Sequence, residues 1–175
     1  MAAHSTVPGT SQLVAAGVDS IEHGWPGLDE HAVRDMAGRG TAWTPTAGAL
    51  LAMVEAPGIT PRRRRGFAEG RARVAELLPL AVRLGVPVLA GTDVTGSIPR
   101  EVALLAQMGL EPKDALAAAS TWPRRFLGAP ATADIVTYHH DPARTRTSWP
   151  TRPPSWPAES GCDERSPPPE CCPSS

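Results

Sequence analysis

Two histidines and an aspartate stand where a chain of alternating strands and helices could do metal chemistry. They are His4, His23 with Gly24 after it, and Asp93, which closes Gly91-Thr92-Asp93. Each follows or ends a short apolar run: Met1 to Ala3, Val18 to Ile21, and Val86 to Ala90. Runs of that length bounded by polar residues read as buried strands. His4 and His23 are nineteen residues apart, about one strand-helix unit, so both imidazoles are expected on one face of adjacent strands. Neutral imidazole suits a borderline cation, and the expected cofactor is a divalent metal, zinc first. A carboxylate at the same mouth can take a proton from the attacking water and pass it to a leaving nitrogen. His4, His23 and Asp93 are therefore the expected metal ligands, with Asp93 also catalytic. Trp25, in the loop after His23, is a candidate substrate-binding residue.

Each residue also has a plainer reading. His4 alone is a solvated terminal residue, and His23 alone a strand-end histidine satisfied by backbone. Thr92 and Asp93 are both good helix N-caps. Trp25 and Trp43 can simply pack, His31 falls on the polar side of its helix, and His139 and His140 precede a tail. What favours a metal site is the joint placement at three strand ends, the arrangement by which a (β/α) barrel builds its active site.

The elements that must position these residues follow from apolar spacing. Val7 to Gly17 reads as a short helix and Val18 to His23 as a strand. Leu28, Ala32, Val33, Met36 and Ala37 share one face, so Asp29 to Arg39 is an amphipathic helix closed by Gly40. Thr41 to Thr46 is a strand ended by Pro45, and Leu50 to Val54 a short loop helix. Phe67, Val74, Leu77, Leu78, Ala81 and Val82 mark a long helix closed by Gly85, after which Val86 to Ala90 is a doubly covered strand. Helices follow at Val102 to Met108, from Glu111-Pro112-Lys113 to Ala119, and at Trp122 to Leu127, with a strand at Ala133 to Tyr138. About four strands alternating with helices imply an α/β fold with a parallel sheet.

The bulk numbers narrow the partners. A chain of 175 residues with net charge −1 gives no reason to expect nucleic acid or a membrane surface. Arg62 to Arg65 reads as a solvated helix start. The absence of a long apolar run or a signal-like opening implies a cytoplasmic protein. Nine of the 20 prolines and all three cysteines (Cys162, Cys171, Cys172) follow Tyr138. Residues 1–140 are thus expected to form the α/β unit, and 141–175 a Pro-rich disordered tail.

Ala2-Ala3-His4, with Ala15-Ala16-Gly17-Val18-Asp19-Ser20-Ile21-Glu22-His23-Gly24, resembles the fifth and sixth strands of the amidohydrolase superfamily in its imidazolonepropionase-like branch. Gly40 to Thr46 is similar to the seventh strand and Gly85 to Asp93 to the eighth. Met108 to Pro112, Ala115 to Ser120 and Ala133 to Val136 match its late helices and returning strand. The resemblance implies about strands five to eight of a TIM barrel, the C-terminal half. It also implies metal-dependent hydrolysis of a carbon–nitrogen bond in a non-peptide or cyclic amide. By it, His4 and His23 bind metal or polarise a small-molecule substrate, and Asp93 binds metal and serves as general base and then acid.

The family's His-x-His pair on the first strand and its bridging residue on the fourth have no counterpart here. The chain is accordingly expected to begin within strand five. Its tail, read two bases later from Arg146, spells a family-like ending, which suggests a frame-shifted end. Four strands leave two raw sheet edges, through which self-association is expected. The alternative to an enzyme is a catalytically inactive fragment or an interaction-only scaffold.

Overall fold

The computed structural model describes residues 1–6, 8–93 and 96–130. The chain is an α/β structure built on a parallel sheet of β1 (Ala2–Ser5), β2 (Ser20–His23) and β3 (Ala42–Thr44), in that order. Between them lie α1 (Thr10–Ala15) and α2 (Glu30–Arg39). After β3 come α3 (Ala47–Glu55), α4 (Pro61–Arg83), α5 (Ile98–Gln107), α6 (Pro112–Ala118) and α7 (Thr121–Phe126). The expected strand at Ala133 to Tyr138, the tail, His139, His140 and the cysteines lie outside the described residues.

Register explains how the sheet sorts its side chains. Ala3 pairs with Ile21 and Ile21 with Trp43, and Val88 bridges to Trp43, so one row of apolar residues crosses the sheet. Ile21, Trp43 and Val88 are fully buried, and they join Met36, Leu50, Leu78 and Leu105 in one core under the helices. The next row is polar: His4 pairs with Glu22, and Glu22 with Thr44. Side chains alternate across a pleated sheet, so the polar row projects from the face away from the helices.

The segment at Val86 to Ala90 departs from expectation. It runs parallel beside β3 but forms a single bridge at Val88. Trp43 donates its N–H to the Pro87 carbonyl (2.9 Å), and Leu89 donates to the Trp43 carbonyl (2.8 Å). One residue later the Ala90 N–H goes to the Ala118 carbonyl of α6 (2.8 Å), which ends the ladder.

The helices follow local rules. α2 buries Ala32, Val33 and Met36; Asp29 accepts the Ala32 N–H at 2.8 Å, and Gly40 closes the helix at φ 70°. The Asp29 cap contributes about 1 kcal/mol. The loop helix proves to be nine residues, with Ala47 to Leu50 buried. α4 runs 23 residues and buries Val74, Leu77, Leu78 and Ala81 against α2 and α3. Among the described residues no helix is long and apolar enough to cross a membrane.

Candidate active site

The ends of β1 and β2, with the turn after the 86–91 segment, bring His4, His23 and Asp93 to one mouth. All three line a cavity of about 240 Å³ with Glu22, Thr44, Thr46 and Gly91. They also line a neighbouring cleft of about 390 Å³ whose walls include Trp25, Met53, Arg63 and Phe67. The His4 and His23 rings meet edge to face with centroids 4.5 Å apart, and His4 Nδ1 lies 3.1 Å from His23 Nε2.

His23 reaches His4 because the backbone breaks alternation. Along β2 a regular strand would send His23 to the same side as Ile21. Instead His23 takes φ 67°, which ends the strand and turns the ring toward the polar row. The Trp43 indole N–H donates to the His23 carbonyl (2.9 Å) and holds this turn from the core. Gly24 follows at φ 70°, and a Cβ there would meet Leu28 and Ile21 at 2.8 and 2.9 Å, so the position after His23 calls for glycine.

Among the described residues three non-glycines adopt a positive φ: His23, Thr46 and Asp93. All three line the mouth. Left-handed backbone at such residues costs about 1–3 kcal/mol each and persists where the surroundings over-determine it. For the β-branched Thr46, at φ 49°, it is a true outlier.

Thr46 also decides the state of His23. Its Oγ1 lies 2.8 Å from the Pro45 carbonyl and 2.5 Å from His23 Nδ1; with the hydroxyl proton given to Pro45, Oγ1 accepts from Nδ1–H. In that arrangement Nδ1 carries the proton of neutral His23 and the Nε2 lone pair faces His4. Burial first, then the charge of His4, lowers the His23 pKa below its usual value, against the pull of Asp93 and Glu22. Both effects favour the neutral ring that a metal requires.

The two facing nitrogens fit two positions of a divalent ion. Nitrogens each about 2.05 Å from a tetrahedral ion stand about 3.3 Å apart, close to the observed spacing. A cation would replace the contact between them. The third position is not assembled: among the described residues no three His, Cys, Asp or Glu groups are close enough to hold a metal ion. Asp93 lines both cavities but is exposed.

Trp25 stands in the cleft wall, its ring edge-on to Phe67 at 5.5 Å. Its indole N–H is buried with no partner among the described residues. Arg63, from the solvated basic run, sits over Phe67 at 6.0 Å and faces the same cleft. His31 is on the surface near Asp35, away from the mouth.

Three residues escaped sequence reasoning. Glu22 lines the smaller cavity and accepts a hydrogen bond from Ser20 (2.7 Å); its alternation with Ile21 was the available signal. Thr46 gave none, since a threonine after proline reads as a strand end. Glu101 gave none either. This fully buried carboxylate of α5 accepts the N–H groups of Ala47 (2.7 Å) and Gly48 (2.8 Å) at the start of α3.

No protein-family model matches the sequence. Uncharacterized proteins of Mycobacterium tuberculosis and Mycobacterium bovis are each 38% identical over 150 residues, covering 74% of this chain and 38% of theirs. Among solved structures, an amidohydrolase is 28% identical with a TM-score of 0.59, over 73% of this chain and 32% of its own. A Xaa-Pro dipeptidase with methionine in its active site is 26% identical with a TM-score of 0.59, over 73% and 34%. A prolidase complexed with N-methylphosphonate-L-proline shares the fold at 23% identity, with a TM-score of 0.58 over 78% and 35%. The neighbours are thus amidohydrolases and prolidases, which supports a hydrolase family. The chain spans 38% of the length of the curated relatives and about a third of the solved structures.

Proposed function

We propose that this chain is the C-terminal half of an amidohydrolase-type (β/α)₈ barrel, the part carrying strands five to eight, and that its mouth serves metal-dependent hydrolysis of a carbon–nitrogen bond. The observation behind this reading is the His4–His23 pair: two imidazole nitrogens 3.1 Å apart, with Thr46 Oγ1 against the other nitrogen of His23. A divalent ion there, zinc by preference, would supply Lewis acidity and lower the pKa of water. His4 Nδ1 and His23 Nε2 would hold it. Asp93, on the same cavity, would take the proton of the attacking water and return it to the leaving nitrogen. Trp25, Phe67 and Met53 would bury the apolar part of a small substrate. Amides and cyclic amides are the first class to screen. Xaa-Pro dipeptides join them because of the names of the solved neighbours.

For this chain taken alone, one observation favours a second reading. Only two donors converge among the described residues, and a catalytic zinc site needs three with one open position. The 175-residue chain by itself is then a weak metal binder without turnover, an inactive scaffold in which β1, the outer strand among the described residues, could pair with a second copy. Calorimetric zinc titration of the chain and of His23→Ala tests the site. Weak binding that His23→Ala abolishes is expected, with no hydrolysis of amide, lactam or Xaa-Pro substrates above background. Binding unchanged in His23→Ala would refute the site. Tight stoichiometric zinc with turnover would refute the second reading.

A further inference from the structure

An N-cap threonine ordinarily turns its hydroxyl onto the N–H groups of its own helix. Thr46 occupies that position ahead of α3 and makes no such bond. Its Oγ1 is committed to the Pro45 carbonyl and to His23 Nδ1. The capping falls instead to Glu101, 54 residues later, whose two carboxylate oxygens separately take the Ala47 and Gly48 N–H groups at 2.7 and 2.8 Å. These are the first two amides of a nine-residue helix, immediately after the left-handed Thr46. Glu101 is 1% exposed, and a buried carboxylate is retained only where it is bonded.

We propose that Glu101 is a positioning residue for the His4–His23 pair. By capping α3 in place of Thr46 it frees the threonine hydroxyl, and so holds His23 with Nδ1 protonated and Nε2 toward His4. The inference rests on reading His23 as a ligand, but it concerns a state of the ring that exists without metal. Without the carboxylate, the Gly48 amide, at the position an N-cap hydroxyl serves, draws the Thr46 hydroxyl back to its own helix, and His23 loses the acceptor that selects its tautomer. A metal ligand whose outer-shell partner is lost binds its ion about 10–100-fold more weakly.

The test is nitrogen-15 NMR of the metal-free 175-residue chain at about pH 8, where the imidazole is neutral. Wild-type His23 should be the Nδ1–H tautomer. In Glu101→Gln, with an otherwise native spectrum, His23 should shift toward Nε2–H, and zinc affinity should fall about 10–100-fold. A folded Glu101→Gln whose His23 stays Nδ1–H overturns the proposal. If that variant does not fold, amide exchange on the unmodified chain decides. Protected Ala47 and Gly48 amides support the proposal, and free exchange of both beside an Nδ1–H His23 overturns it. A wild-type chain with the expected tautomer and no zinc binding would sink the metal reading while leaving the positioning role intact.

Discussion

Gly91 offers the sharpest test of how the mouth is built. Its φ lies outside the left-handed region, so the glycine is required by space alone. A Cβ added there would stand 2.5 Å from Thr44 Cγ2, with every other neighbour at 3.8 Å or beyond. Carbon atoms in contact prefer about 3.5–4.0 Å, so Gly91→Ala must open roughly 1 Å between the 86–91 segment and β3. Overpacking of that kind costs about 1–3 kcal/mol, and the lower entropy of the unfolded alanine chain returns about 0.4–1. A net loss of about 1–2 kcal/mol is expected in urea unfolding followed by fluorescence. The clash has one identified partner, so Thr44→Ser should relieve it. Alone, that change removes one buried methyl and costs about 0.8 kcal/mol. Combined with Gly91→Ala it should be no worse than Gly91→Ala by itself, a coupling of about 1 kcal/mol. A neutral Gly91→Ala, or two penalties that simply add, would refute the close approach of the segment to β3.

Two further outcomes rest on buried groups. Trp43→Phe leaves the His23 carbonyl without its indole donor and should lower stability by about 1–3 kcal/mol in urea unfolding, with a loss below 0.5 arguing against that bond. For Glu101, burial raises the pKa to about 7 against the opposing hydrogen bonds of Gly48 and Ala47 and the charge of Arg100. A raised carboxyl means the folded state binds the extra proton, so this stabilisation is full below about pH 4.5 and is lost as pH rises through 7. Wild type should therefore lose on the order of 3 kcal/mol relative to Glu101→Gln between pH 4.5 and 7.5, and a flat difference would refute the shift.

What could be read ahead of the structure was whatever announces itself within a few residues. Asp29 and Gly40 bracket α2 because capping chemistry is local. The placement of His4 and His23 was legible because a polar residue that ends an apolar run marks the end of a strand, whereas Asp93 follows a segment that makes a single bridge. The tertiary rules were not legible. That Val86 to Ala90 makes a single bridge depends on the Ala118 carbonyl of α6, which claims the Ala90 N–H. That Thr46 serves His23 instead of its own helix depends on a glutamate of α5. That Gly91 must be glycine depends on a methyl of β3.

The three left-handed residues differ in what holds them, and the difference predicts the order of events on metal binding. His23 is held from the core by the Trp43 indole, and Thr46 by the α3 turn that Glu101 caps. Among the described residues, the hydrogen bond at Asp93 is an exposed 3.4 Å one from the Thr92 hydroxyl to its carbonyl. A left-handed residue with so slight an anchor can leave that conformation cheaply, whereas the His23 ring, against which His4 rests, is held in advance. Ligands fixed in advance contribute the greater share of affinity, because ordering them costs nothing at the moment of binding. Zinc titration followed by NMR should therefore shift His4 and His23 together and first. Asp93→Asn should weaken binding by less than about tenfold, within 1.4 kcal/mol, where His23→Ala abolishes it. Equal losses from the two substitutions would mean that Asp93 is as firmly placed as the histidines, and that the third position of the site is filled from the outset.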